Sequence, residues 1–490
     1  MIKPQQSILK RCKMRQENSL KRCKKYRKNC LKRCKSYIFA AVMRRKVYDK
    51  LLKWKAEDQG RVAILLDGAR RVGKSYIARE FAKEYKSAIF VDFSDMSQPL
   101  RHIFDNYLHD RDELFLQLQL HFHVTLHERN SLIVFDEVQE YPQARAAIKH
   151  LVADGRYDYI ETGSLVSINK NVKDILIPSE ERRIKMYPMD FEEFLWALGD
   201  EMMMPFITNC FEKKRPLGPV HAKAMDYFRK YLLIGGMPQV VKNFVEHRDF
   251  LKVDREKRII LDLYRQDIEK HANRLEKKVK SIFDTIPAEL QRHEKKFRLA
   301  DLEKNAKFRS YESSFVWLDE ARVVNLCFAA TEPNVGLGLK LDNMRVKCYF
   351  ADTGLLVSHA FDENELMDKK KKKKLLLDKL EINKGMLVEN IVAQMLAAAG
   401  HKLYFYSNAS RDDAEERMEI DFLVRKPQIT SRHNISPIEV KSGAGYSLSS
   451  LAKCINKYGP YLSTPYVLHS ADYKEEGNIT YLPLYMTPLL

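Results

Sequence analysis

Residues Gly68-Ala69-Arg70-Arg71-Val72-Gly73-Lys74-Ser75 set a glycine, four intervening positions, and then Gly-Lys-Ser. The apolar run Val62-Ala63-Ile64-Leu65-Leu66 precedes them. Tyr76 to Ala82, which follows, has the apolar spacing of a helix. A strand that passes through a glycine loop straight into a helix is the start of a crossover unit, so this stretch restricts the chain to an α/β class with a parallel sheet. Each residue type has a physical job. Gly68 and Gly73 let the backbone curl, so that the amides of Ala69, Arg70, Arg71 and Val72 turn inward toward phosphate oxygens. The helix beginning at Gly73-Lys74 aims its positive end at the same anion. Lys74 is expected to reach the β- and γ-phosphates and the Ser75 hydroxyl to ligate Mg²⁺, which makes ATP with Mg²⁺ the expected ligand.

A second stretch completes this reading. Ser131-Leu132-Ile133-Val134-Phe135 is a buried-strand pattern that ends in two carboxylates, Asp136 and Glu137, about sixty residues downstream of the loop. Asp136 is expected to hold the Mg²⁺ environment and Glu137 to act as the general base on the attacking water. Tyr157 to Ser164 reads as another strand with a polar tip. Where such a tip lies between the two motifs, Thr162 or Ser164 can sense the γ-phosphate or the water, although both residues also suit a plain turn. Arg182 and Arg183, ahead of the strand Ile184 to Met189, are candidate arginine fingers or ordinary exposed arginines. His123 and His127 have i, i+4 spacing among five nearby histidines, but no intervening Glu or nearby Cys supports a metal site there.

At 490 residues the chain has room for about three domains. Its net charge of +19 is unevenly spread: residues 1–42 carry fourteen Lys or Arg against one acid, Glu17, which leaves only six net positive charges on the rest. Strong nonspecific attraction to nucleic acid is therefore not expected of the body of the chain. The first 42 residues repeat Leu-Lys-Arg-Cys-Lys at positions 9, 20 and 31. That eleven-residue period allows a basic amphipathic arm, a solvated tail, or a stretch lying ahead of a start at Met43. The eight cysteines show neither a disulfide framework nor zinc spacing. No apolar run approaches a membrane span, and a cytoplasmic location with reduced thiols is the expectation.

The expected organisation is a basic extension at 1–42, a P-loop core at 43–200 and a helical lid at 201–275. A winged-helix-like region of helices and a small ribbon follows at 276–368, then a basic linker at 369–380 containing six consecutive lysines, and a last domain at 381–490. In that last domain Asn383 to Ala399 is a helix carrying Glu389. Met418 to Val424 alternates as a strand, with Asp421 opposite the Ile420 and Phe422 side. Pro437-Ile438-Glu439-Val440-Lys441-Ser442 then puts Glu439 and Lys441 on one face. A helix carboxylate, a strand Asp and Glu-x-Lys on the next strand form the core pattern of restriction-endonuclease-like folds. On that reading Asp421 and Glu439 hold a divalent metal, Glu389 completes its site, and Lys441 orients or activates water. The same residues could instead be the solvated face of a hairpin.

The chain resembles the predicted AAA-type ATPases of bacteria and archaea that end in a domain of unknown function with a restriction-nuclease-like core. The matching stretches are Gly68 to Ser75, Phe135 to Gln139, Thr162-Gly163-Ser164, Tyr187 to Phe194, Gly235-Gly236-Met237-Pro238, Phe350 to Leu355, Glu419 to Phe422 and Ile438 to Lys441. Ser75 stands where Thr is frequent and Arg71 where Gln is frequent, and neither change removes a required group. The resemblance implies an AAA-type parallel sheet with a helical lid, a winged-helix-like middle and a small α/β nuclease-like end. The functions that follow are an Mg²⁺-dependent ATPase coupled to a domain that binds or cuts DNA, or a nucleotide-controlled module that docks a protein partner without chemistry. A homo-oligomer is compatible with either.

Overall fold

The computed structural model describes residues 44–163, 180–292, 296–333, 336–338, 341–361, 384–410, 413, 415–425, 434–443 and 445–490. The basic extension, Ser164 and the lysine-rich linker lie outside the described residues.

The first sheet holds β1 (Ala63–Gly68), β2 (Ser87–Asp92), β3 (Ser131–Asp136), β4 (Asp158–Gly163) and β5 (Glu181–Met186). They are all parallel, in the order β2-β3-β4-β1-β5. Every residue of β1, β3 and β4 is buried, as strands covered on both faces must be. The period of two sorts their side chains between two apolar cores. Ile64, Leu66, Leu132 and Val134 join α1 (Lys46–Asp58) and α2 (Lys74–Phe81) on one face. Ala63, Leu65, Ile133 and Phe135 join α3 (Gln98–Tyr107), α4 (Arg111–Phe122) and α5 (Pro142–Asp154) on the other. Parallel pairing brings the carboxyl ends of β1, β3 and β4 to one edge, which is where such sheets bind ligands.

The helical stretch comprises α6 (Phe191–Ala197), α7 (Met203–Glu212), α8 (His221–Ile234), α9 (Pro238–His247), α10 (Phe250–His271), α11 (Glu276–Gln291) and α12 (Glu312–Glu320). Asp190 and Glu193 close α6 with a reciprocal capping box.

The second sheet is mixed and has eight strands in the order β12-β13-β11-β10-β9-β8-β6-β7. They are β6 (Val324–Ala330), β7 (Leu341–Phe350), β8 (Leu403–Asn408), β9 (Met418–Arg425), β10 (Ile435–Val440), β11 (Tyr466–His469), β12 (Lys474–Glu476) and β13 (Ile479–Pro483). Between β7 and β8 the chain forms α13 (Thr353–His359) and α14 (Lys384–Ala398), and α15 (Ser449–Tyr458) follows β10. Sequence reading sets the β6–β7 ribbon apart as a wing. In the fold β6 instead pairs in parallel with β8, from Cys327↔Leu403 to Ala330↔Tyr406, so the ribbon is the edge of the C-terminal sheet. The reason is burial: Cys327, Ala329, Val346, Cys348 and Phe350 are apolar and enclosed, and a free ribbon would leave them in water. Among the described residues no helix is long and apolar enough to cross a membrane.

Candidate functional site

The glycine loop follows β1 without a gap. Gly73 has φ 94° and Arg71 φ 70°, both left-handed, so the loop turns sharply before α2 begins at Lys74. A Cβ on Gly68 would lie 2.5 Å from the Met186 carbonyl oxygen of β5, so only glycine allows this approach. Lys74 is buried, and its Nζ donates to the carbonyls of Gly68 at 2.9 Å and Ala69 at 3.2 Å. Its ammonium therefore lies inside the loop.

Ser75 Oγ donates to Asp136 Oδ1 at 2.8 Å, and Thr162 Oγ1 donates to the same carboxylate oxygen. Thr162 Oγ1 in turn accepts the Glu137 amide at 3.1 Å. Glu137 has the left-handed φ of 53°, unusual for a non-glycine residue, and Gln139 Nε2 donates to its Oε2 at 2.5 Å. One serine hydroxyl and one carboxylate facing a common point suit Mg²⁺, which keeps waters and takes phosphate oxygens for its remaining positions. Lys74, Ser75, Asp136, Glu137 and Thr162 are thus brought together at the carboxyl edge of the sheet.

Arg182 and Arg183 lie at the other end. Arg182 pairs in register with Ile64, near the start of β1, and forms a two-pronged ion pair with Asp58 at 2.6 and 2.9 Å. Neither faces this chain's own loop, because β5 runs parallel to β1 and both arginines sit at its beginning.

A cavity of about 420 Å³ opens on the loop, with Lys74, Arg70, Glu137 and Gln139 on one side and Tyr264, Asp267 and Trp317 on the other. The far wall comes from α10 and α12. Tyr264 Oη donates to the Arg70 carbonyl at 3.2 Å, and Arg70 Nη1 meets Asp267 Oδ1 at 2.7 Å. Burial pushes the Asp267 carboxyl above the usual range. Arg70 pulls against that rise and nearby Glu137 adds to it. Beneath the loop, Arg322 Nη2 lies 3.2 Å from Oδ2 of the fully buried Asp67. On its outer side Arg45 is almost fully buried: Nη1 donates to the Val72 carbonyl at 2.8 Å, Nη2 to the Tyr187 carbonyl at 2.7 Å, and Nε to Glu193 at 3.0 Å. Sequence reading passes over Arg45, Tyr264, Asp267 and Arg322 because no local motif contains them.

The second centre lies on the C-terminal sheet. Glu389 from α14, Asp421 from β9, Glu439 from β10 and Lys441 just past the end of β10 converge there. Glu439 is buried, its Oε2 accepts from Lys441 Nζ at 2.7 Å, and its Oε1 has no hydrogen-bond partner. Burial, with Asp421 beside it, pushes the Glu439 carboxyl up to about 8 against the pull of Lys441 and Lys347. Asp421 Oδ2 accepts the Val440 amide at 2.8 Å.

Three further groups enter. Lys347 of β7 places its Nζ 2.8 Å from Glu419 Oε1 and 3.5 Å from Glu389 Oε1. Tyr349 Oη donates to that same oxygen of Glu389. Burial alone would lower the Lys347 pKa, but Glu389, Glu419 and Asp421 together raise it, so the ammonium stays charged. Glu419 is legible in retrospect, two residues before Asp421 on the same strand face. Lys347 is not, since its strand reads as part of a separate ribbon. Glu389, Asp421 and Glu439, the residues expected to hold a metal, have the Lys347 ammonium beside them, 3.5 Å from Glu389. Among the described residues no group of three or more His, Cys, Asp or Glu can hold a metal ion, and a lysine lies among these carboxylates.

A set of polar contacts ties the segment before α6 and the turn after α8 to α13 and α14, forming a junction between the helical stretch and the C-terminal sheet. Tyr231 Oη donates to the Met189 carbonyl at 2.8 Å and accepts from Gln394 Nε2 at 2.9 Å. Gln394 Oε1 accepts from the Thr353 amide at 2.7 Å, and Asn390 Oδ1 accepts the Phe350 amide at 2.8 Å. Asp352 Oδ2 accepts the Gly236 amide at 2.6 Å. Gln394, Asn390 and Glu389 all lie on α14, so one helix touches both the junction and the carboxylates.

Residues 60–195 match the family model described as "AAA domain". Residues 225–366 match one domain of unknown function (DUF8612), and residues 384–486 match another (DUF4143). No curated protein matches the chain. Among solved structures the chain is similar to the Walker-type ATPase PABY2304 of Pyrococcus abyssi, with 15% identity over 64% of this chain and 95% of that one, at a TM-score of 0.39. It is also similar to the Aeropyrum pernix ORC1 protein in complex with DNA, with 12% identity over 62% and 87% at a TM-score of 0.26, and to CDC6P from Pyrobaculum aerophilum, with 12% identity over 65% and 88% at 0.22. Likenesses of that order say nothing of function. The parallel sheet, the glycine loop that leaves β1 and the family match over the same residues agree: residues 60–195 form an AAA-type P-loop domain.

Proposed function

We propose that the protein is an Mg²⁺-dependent ATPase whose nucleotide state is passed to the C-terminal carboxylate centre. The observation that carries this reading is the meeting of Lys74, Ser75, Asp136, Glu137 and Thr162 at the carboxyl edge of the sheet, where Lys74 and Glu137 line the cavity. The loop amides and Lys74 would bind the phosphates, Ser75 and Asp136 would hold Mg²⁺, and Glu137 would take the proton of the attacking water. Bound Mg²⁺ supplies the charge that offsets the β- and γ-phosphates. Thr162, bonded to both Asp136 and the Glu137 amide, links the metal-side carboxylate to the base. Arg70 and Tyr264 tie the loop to α10, which gives the helical stretch a contact that a triphosphate disturbs on binding.

The test is steady-state ATP hydrolysis with nucleotide binding measured in parallel. Lys74→Ala loses both binding and turnover. Glu137→Gln keeps ATP bound while turnover falls roughly 10²- to 10⁴-fold, the usual contribution of a general base. Normal turnover in both variants sinks the assignment.

A second reading has its own support. Asp421, Glu439 and Lys441 stand together in the order of restriction-endonuclease-like cores, so the C-terminal domain would bind or cut DNA under ATP control. Incubation with DNA and Mn²⁺, with and without Lys441→Ala, separates the two: cleavage lost in the variant favours a nuclease, and binding without cleavage favours a docking module.

A further inference from the structure

The carboxylates at the C-terminal centre already have a cation, supplied by a strand that local sequence reading assigns elsewhere. Lys347 is 1% exposed at its side chain, with its Nζ 2.8 Å from Glu419 and 3.5 Å from Glu389. The same ammonium lies 4.9 Å from the centre of the Phe405 ring, a cation–π contact that further holds it inside. The other donors are also spoken for. Tyr349 Oη is on Glu389, the Val440 amide on Asp421 and Lys441 on Glu439. The two spacings from Lys347 are those of an ammonium among acceptors. Divalent ions instead need several oxygens converging at roughly 2.0–2.6 Å.

We propose that Lys347 is the resident counter-ion of the carboxylate centre, standing where a nuclease would hold its divalent metal, and that the C-terminal domain therefore keeps a metal-independent ion-pair network in place of a metal-dependent cutting site. A divalent ion entering among Glu389, Glu419 and Asp421 would sit a few ångströms from a buried ammonium. The carboxylates cannot satisfy both, and the tethered cation needs no recruitment from solution. The inference favours the docking module over the nuclease and stands independently of ATP hydrolysis, since it is tested without nucleotide.

The experiment uses the full chain, nucleotide-free, with Mn²⁺ as the probe, read by loss of the free-Mn²⁺ paramagnetic resonance signal and by thermal unfolding. Wild type and Asp421→Asn are expected to give superimposable Mn²⁺ titrations and the same change in Tm on adding Mn²⁺, any binding at Ser75 and Asp136 being common to both. Lys347→Met is expected to lower Tm, to gain Mn²⁺ affinity by about tenfold or more, the scale on which a neighbouring charge shifts an ionic equilibrium, and to recover Tm when Mn²⁺ is added. Asp421→Asn in the Lys347→Met background abolishes the gained site, and Lys347→Arg behaves as wild type. A wild-type Mn²⁺ site that disappears in Asp421→Asn overturns the proposal, as does Mn²⁺-dependent DNA cleavage that Lys441→Ala removes. Folded Lys347→Met that gains no Mn²⁺ affinity also overturns it. If Lys347→Met does not fold, the comparison of wild type with Asp421→Asn decides alone.

Discussion

Single side chains carry most of the chemistry, and their environments differ sharply between the two centres. At the P-loop, Lys74 and Asp136 are buried yet engaged by carbonyls and hydroxyls, an arrangement that substrate oxygens can take over. At the C-terminal sheet, Glu439 is enclosed with one oxygen unpaired, and burial raises its pKa to about 8. The consequence for stability has a definite sign. Above the ordinary carboxylate range, near 4.5, the unfolded chain has released this proton while the folded chain keeps it until about 8. Stability due to this group therefore falls as pH rises across that window, by at most about 1.4 kcal/mol per pH unit. Glu439→Gln removes the dependence, so urea unfolding from pH 5 to pH 8 should show wild type losing stability relative to the variant. A constant difference across that range would mean that Glu439 is ionised throughout.

Between elements, the contacts that matter are close backbone approaches. A Cβ on Gly236 would lie 2.1 Å from the Met189 carbonyl oxygen, and one on Gly354 would lie 2.2 Å from the Ile234 carbonyl oxygen. These glycines let the turn between α8 and α9 seat against both the segment before α6 and the start of α13. Met189 N donates to the Gly236 carbonyl at 2.6 Å across that junction. Because backbone cannot swing away as a side chain can, Gly236→Ala is expected to cost about 1–3 kcal/mol or more, measured by urea unfolding. It should also raise the KM for ATP, since α9 begins at Pro238, whose Cγ lies 3.7 Å from a Cβ built on Gly73 of the loop. Gly155→Ala serves as a comparison. Gly155 has nothing within 4 Å of a built Cβ and carries only the penalty of its φ of 77°.

Across the molecule, one apolar core runs from Val47 in α1 through Phe81, Phe194, Leu261 and Phe350 to Met486. Elements that share a core melt together, so thermal unfolding is expected to be a single transition by intrinsic fluorescence and by circular dichroism. A slowly hydrolysed ATP analogue with Mg²⁺ should raise that one Tm, stabilising by roughly 2.7 kcal/mol at a hundredfold excess over Kd. Amides of α14 should gain hydrogen-exchange protection along with those of the loop. Two separated transitions, only the first moving with nucleotide, would show that the P-loop domain and the C-terminal sheet fold and respond apart.

Local order in the chain carried the two motifs. A glycine loop between a strand and a helix, an apolar strand ending in Asp136-Glu137, and alternation that sets Asp421, Glu439 and Lys441 on strand faces are all readable because their geometry repeats within a few residues. Thr162 was legible for the same reason, as a polar tip of a buried strand. What only the tertiary structure decided depends on residues far apart in the chain. Arg45 reaches Val72 and Glu193, Asp267 meets Arg70 across nearly two hundred positions, and β6 joins β8 to make the wing an edge of another sheet. Lys347 is the sharpest case. Its sequence neighbourhood describes a strand, and only the packing of that strand beneath α14 puts an ammonium among carboxylates whose own pattern, read alone, called for a metal.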